Sequence, residues 1–95
     1  MDDLTQLNFN ILPHRIYSKD EYGRVLADCE FPERSKGEYV VTTVYVNDDL
    51  SGMAQIADQM MNLALSQVQK TGGRFVDAQD QYGGDWLRKK GLLTQ

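Results

Sequence analysis

The chain has 95 residues, with ten Lys and Arg against fourteen Asp and Glu, a net charge of −4 and an isoelectric point near 4.7. That length fits one domain over residues 1–95, and 41% hydrophobic with 25% charged residues is the balance of a folded globule, not of a disordered chain. The acidity counts against a nucleic-acid partner, which needs a basic face, and no apolar run approaches the roughly 20 residues that span a bilayer.

Asn8 to Tyr17 holds Phe9, Ile11, Ile16 and Tyr17 and reads as a strand interrupted by Pro13, hence an edge strand or a bulged one. Asp20-Glu21-Tyr22-Gly23 is a turn. From Arg24 to Phe31 the pattern alternates: Val25, Ala27, Cys29 and Phe31 share one face, Asp28 and Glu30 the other, which predicts a half-buried strand. Pro32 to Gly37 is a polar hairpin loop. Glu38 to Val46 is β-branched or aromatic almost throughout and predicts a central strand covered on both faces.

The period then changes. Asn47 to Gly52 is a loop rich in capping residues, with Ser51 the expected N-cap. From Met53 to Gln69 apolar residues fall at Met53, Ile56, Ala57, Met60, Leu63, Ala64 and Val68, an amphipathic helix that Thr71-Gly72-Gly73 ends. Arg74 to Ala78 is a short strand, Tyr82-Gly83-Gly84 a turn, and Asp85 to Lys90 a short helix stopped by Gly91. A hairpin-rich start thus leads into a strand–helix–strand crossover, whose strands run parallel if they share a sheet.

Chemistry is constrained by scarcity. Cys29 and His14 are the only residues of their types, so neither an internal disulfide nor a Cys/His zinc site forms, and no metal is expected. An intracellular, cytoplasmic setting is the default, and Met1 to Gln6 has neither the basic start nor the apolar stretch of a signal peptide. Cys29 and the methionines read as packing residues, His14 as an exposed or packing residue, and Trp86 as the anchor of the last helix. The candidate site is the junction before the long helix. A helix N-terminus offers unpaired N–H groups and a partial positive charge, suited to a diphosphate, and Ser51, Gly52 and Ala54 are small enough to let the backbone approach one.

At this junction the chain resembles the GNAT acetyltransferase superfamily, and most of all its minimal branch of small single-domain bacterial proteins. The resemblance runs over almost the whole chain. It rests on the order of elements, on Glu38 to Leu50 as central strand and exit loop, and on Trp86-Leu87-Arg88-Lys89-Lys90-Gly91-Leu92, which looks like the family's aromatic-x-x-Lys-x-Gly-apolar segment. It implies an α/β fold of the α+β kind: a mixed, mostly antiparallel sheet of about four strands, one long helix on a face and a short C-terminal helix. It implies acetyl-CoA (or CoA) as cofactor, its pantetheine arm beside the backbone of Val44 and Val46, and its diphosphate at Ser51, Gly52, Met53, Ala54, Gln55, Ile56 and Ala57. The family's phosphate loop, Arg/Gln-x-x-Gly-x-Gly/Ala, is degenerate here: Gly52 stands at the first position and Gln55 at the middle glycine, and only Ala57 matches. Leu87 stands where a Tyr often protonates the thiolate, and Asp77 to Asp80 where a Cys often follows the last strand. Asp48, Asp49 and Asp58 bring negative charge toward the would-be diphosphate. Asp28 and Glu30, as strand carboxylates, are the candidate bases.

The resemblance implies N-acetyl transfer to a small-molecule or protein amine by direct attack, with a second copy of the chain as a further pocket wall in a homodimer. A catalytically inactive GNAT-fold interaction or regulatory module is the alternative, and an unrelated small α+β protein a third.

Overall fold

The computed structural model describes residues 7–93, so Met1 to Gln6, the stretch read for a signal peptide, lies outside the described residues. Pro13 decides the first hairpin. With no N–H to give a ladder, it breaks the expected Asn8–Tyr17 strand, and a turn at Pro13-His14 folds the run into β1 (Asn10–Leu12) and β2 (Arg15–Lys19), with Ile11 opposite Ile16. The Asp20 carboxylate accepts from the Tyr22 and Arg24 amides, Gly23 takes φ 84°, and the chain returns as β3 (Val25–Glu30). Ala27 and Cys29 are buried on one face of β3, as the alternation requires.

Two expectations change in the middle of the chain. The polar loop contains a short strand, β4 (Glu33–Ser35), paired with β5 (Glu38–Val41), and the Glu33 carboxylate tightens the turn by accepting from the Gly37 amide at 2.7 Å. The run Glu38–Val46 is not one central strand. It breaks at Thr42 into β5 and β6 (Thr43–Val46), which belong to different sheets. Strands β1-β2-β3-β6 form an antiparallel sheet of four, and β4-β5-β7 a sheet of three in which β5 runs parallel to β7 (Arg74–Ala78).

Helix α1 (Met53–Lys70) packs against strands of both sheets and buries Ile56, Ala57, Met60, Met61, Ala64 and Val68. Burial of each larger side chain among these stabilises the fold by about 1.5–3 kcal/mol, before entropy is counted. Met53, expected on the core stripe, is instead 40% exposed at the helix start. The N-cap is Gly52 in a left-handed conformation (φ 73°), not Ser51. At the other end the amides of Gly72 and Gly73 bond back to Gln69 and Val68 carbonyls. Helix α2 (Gln81–Lys89) begins ahead of the expected Asp85, so Tyr82-Gly83-Gly84 is helical and not a turn. Its cap is Asp80, and it buries Trp86 and Leu87. Among the described residues no helix is long and apolar enough to cross a membrane.

Candidate functional site

The site grows out of the break at Thr42. The Asn47 amide donates to the Leu26 carbonyl, which makes Leu26 and Asn47 a hydrogen-bonded pair of the β3–β6 ladder. Pairs alternate in an antiparallel ladder, so Val44 (opposite Cys29) and Val46 (opposite Ala27) sit in non-hydrogen-bonded positions and turn their peptide groups away from β3. On that side β7 has already stopped. Its register with β5 ends at Val41 and Ala78, and the next two amides, Gln79 and Asp80, both point at the Val41 carbonyl (2.8 and 3.4 Å). The two sheets therefore part between β6 and β7.

One side chain bridges the parting. Asp80 Oδ1 accepts from the Gly83 amide at 2.9 Å and caps α2, while Oδ2 accepts from the Val44 amide at 3.1 Å. Gly83 is needed there, since a Cβ would lie 2.7 Å from Val41 Cγ1. Below the bridge lies a cavity of about 270 Å³ walled by Val44 and Val46 from β6, Met53, Ala54 and Ala57 from α1, and Tyr82 from α2. The Tyr82 hydroxyl donates weakly to the Ala54 carbonyl at 3.5 Å, and burial, helped by Asp58, pushes its phenol pKa up.

The α1 end of the cavity carries backbone donors. The first bond inside α1 runs from the Ile56 amide to the Gly52 carbonyl (2.9 Å), so the amides of Met53, Ala54 and Gln55 lie ahead of it with no intrahelical acceptor. Ile56 itself uses its amide in the helix and its side chain in the core. Ser51 and Gln55 are exposed. Asp48 and Asp49 are exposed beside this end, with the Asp49 amide held by Asn47 Oδ1 at 2.8 Å. Asp58 is engaged, accepting from Trp86 Nε1 at 2.7 Å and from Asn62.

Asp28 and Glu30 lie on the opposite face of β3 from Cys29. Arg15 grips Asp28 through two bonds, Nε to Oδ1 at 2.9 Å and Nη2 to Oδ2 at 3.0 Å, while its guanidinium lies 4.3 Å from the Tyr17 ring centroid. That bond to Asp28 is the main reason the Arg15 pKa is raised. Glu30 is less engaged: its side chain is 46% exposed, 3.9 Å from Arg15 Nε, and it accepts from Thr43 Oγ1 at 3.4 Å. Cys29 is buried, and desolvation first, then Asp28, Asp80 and Glu30, push its thiol up to about 12, so it packs as a small apolar group. His14 is exposed, its ring 5.8 Å from that of Tyr39.

Of the residues singled out from the sequence, Val44, Val46, Met53, Ala54 and Ala57 meet around one cavity, and Asp28 and Glu30 stand on another face. Asp80 and Tyr82 were missed. The signal for Asp80 was present, because Asp is a favoured N-cap and Asp80 precedes a run ending in Arg88-Lys89-Lys90. Reading Gly83-Gly84 as a turn hid it.

Two sheets that part at one strand, a long helix starting at the parting and a short helix behind it define a GNAT-like α+β fold. Among solved structures the chain matches a GCN5-like proposed N-acetyltransferase from Staphylococcus aureus, determined by NMR in solution, with TM-score 0.72 and 15% identity over 99% of this chain and 91% of that one. At that identity the likeness shows the fold. No protein-family model and no curated protein matches the sequence.

Proposed function

We propose that this chain is an acetyl-CoA-dependent N-acetyltransferase acting on an amine by direct transfer. One observation carries the reading: the parting between β6 and β7 opens an apolar cavity onto outward-turned peptide groups and onto the start of α1. The residues present fit the cofactor's arm. Val44 and Val46 offer peptide groups to its amides, and Met53, Ala54, Ala57 and Tyr82 offer apolar surface to its methylenes. The amides of Met53, Ala54 and Gln55, approached over Ser51 and Gly52, face a diphosphate. Acetyl-CoA held there would supply a thioester whose acetyl passes to the amine as the C–S bond breaks, the departing thiolate taking its proton from solvent. Glu30, held only loosely, takes the proton from the amine, and Asp28, clamped by Arg15, keeps that face of the sheet ordered. Holding the amine in line supplies most of the rate.

A second reading, a GNAT-fold interaction module without catalysis, is favoured by one contact: Asp80 already holds the Val44 amide. Thermal unfolding with saturating acetyl-CoA separates the two. Ligand at about 100 times its dissociation constant adds roughly 2.7 kcal/mol, several degrees for a domain of this size. Ala54→Trp, an exposed change that fills the cavity, should abolish the shift. A folded wild type with no shift rules out the transferase reading.

A further inference from the structure

The two ends of this cavity differ in what they can recognise. The arm end is a built slot: apolar walls from three elements, with the peptide groups of Val44 and Val46 turned into it. Its lining, Val44, Val46, Met53, Ala54, Ala57 and Tyr82, carries no charged side chain, so it suits a slender uncharged chain and not a nucleotide. The other end offers a diphosphate the first backbone amides of α1. The first turn of α1, Met53-Ala54-Gln55-Ile56, holds no Lys or Arg, and the loop leading into it contributes Asp48 and Asp49. Arg24, which feels the charge of Asp49, pairs with Asp20, its Nε 2.7 Å from Oδ2. Helix amides can hold an anion unaided, but charge-assisted bonds from Arg or Lys are roughly twice as strong, and the loop before α1 carries exposed carboxylates instead.

Resting on the transferase reading, we infer that the acyl donor is recognised through its pantetheine arm, and that the phosphoadenosine diphosphate end contributes almost no affinity. The substrate class on the donor side is then acyl-pantetheine thioesters in general, of which acetyl-CoA is one. The acetyl group and the two amides of the arm sit in the slot, and the nucleotide lies over solvent.

Calorimetric titration of the full chain with three probes tests this: acetyl-CoA, S-acetylpantetheine and adenosine 3′,5′-bisphosphate. The two thioesters should bind within about fivefold of one another, under about 1 kcal/mol, and the bisphosphate not measurably. The Asp48→Asn, Asp49→Asn double variant, which alters two exposed side chains, should strengthen acetyl-CoA relative to S-acetylpantetheine, and raised salt should weaken neither thioester in the wild type. Acetyl-CoA bound with S-acetylpantetheine more than about fivefold weaker overturns the inference and leaves the transferase reading standing. Binding of neither thioester overturns both. A double variant that changes the two thioesters equally also overturns the inference.

Discussion

Replacing Asp80 is the most direct probe of how the two sheets are held apart and together. Asp80→Ala deletes both acceptors at once. Loss of the α2 cap on Gly83 costs about 1 kcal/mol, as N-cap to Ala changes usually do. The Val44 amide loses its partner in a half-buried place, which adds about 1 kcal/mol at the low end of the range for an orphaned donor. The sum is about 2 kcal/mol, or a fall in Tm of about 8–16 °C for a chain this short. Asp80→Ser divides the two terms. Serine caps as well as aspartate, but its single oxygen cannot also reach Val44, so only about 1 kcal/mol should be lost. Urea unfolding followed by Trp86 fluorescence gives both values, and amide exchange at Val44 should quicken in both variants. Equal losses for Ser and Ala, or an Ala variant within about 0.5 kcal/mol of wild type, would refute the bridge, since such small effects are those of ordinary surface sites. If the donor arm uses the Val44 amide, Asp80→Ser should also bind S-acetylpantetheine more tightly, because it removes a built-in competitor.

Gly83→Ala should destabilise the protein despite a helix-propensity gain of about 1 kcal/mol, because the new Cβ meets Val41 Cγ1 at 2.7 Å and overpacking costs about 1–3 kcal/mol; denaturant midpoints measure it. The Cys29 thiol, raised by burial from an ordinary 9.0 to about 12, contributes stability that is complete below pH 9 and is lost as pH rises toward 12, since the unfolded thiol ionises first. Stability should therefore fall by up to about 1.4 kcal/mol per pH unit in that window, and Cys29→Ala should flatten this dependence. Glu30→Gln should lower kcat by about 10²–10⁴-fold with acetyl-CoA binding unchanged, whereas Asp28→Asn should act mainly on stability by loosening Arg15; a reversed pattern would move the base to Asp28.

What the sequence made legible follows the range over which each feature is encoded. Helix α1 was visible because its period repeats over 18 residues, and Arg74–Ala78 was read with its observed bounds because Gly73 and the loop after it bracket the strand-favouring pair Phe75-Val76. The break at Thr42 was not visible. Val40-Val41-Thr42-Thr43 carries no glycine or proline, and each residue favours extended backbone. The strand parts because different partners claim its two halves: the Val41 carbonyl takes the Gln79 amide from the β7 side, and the Thr42 amide turns to the Glu30 carbonyl of β3. That choice is made by tertiary pairing, and no local signal records it.

The same distinction separates the parts of the site. Val44, Val46 and the start of α1 lie within one short stretch, and their likeness to a known arrangement placed them together. Tyr82 reaches the cavity, and Asp80 the Val44 amide, because α2 starts at Gln81, where Gly83 fits against Val41. Gly83 was therefore misread for a physical reason. Two adjacent glycines normally weaken a helix by about 1 kcal/mol each, and a reading from propensity alone must end the helix there. In the fold that cost is offset by the close approach the missing side chain permits, which delivers the Asp80 carboxylate to the Val44 amide. The pair Gly83 and Asp80 thus belongs to the site as much as the cavity walls do, and substitutions at either should move helix stability and ligand affinity together.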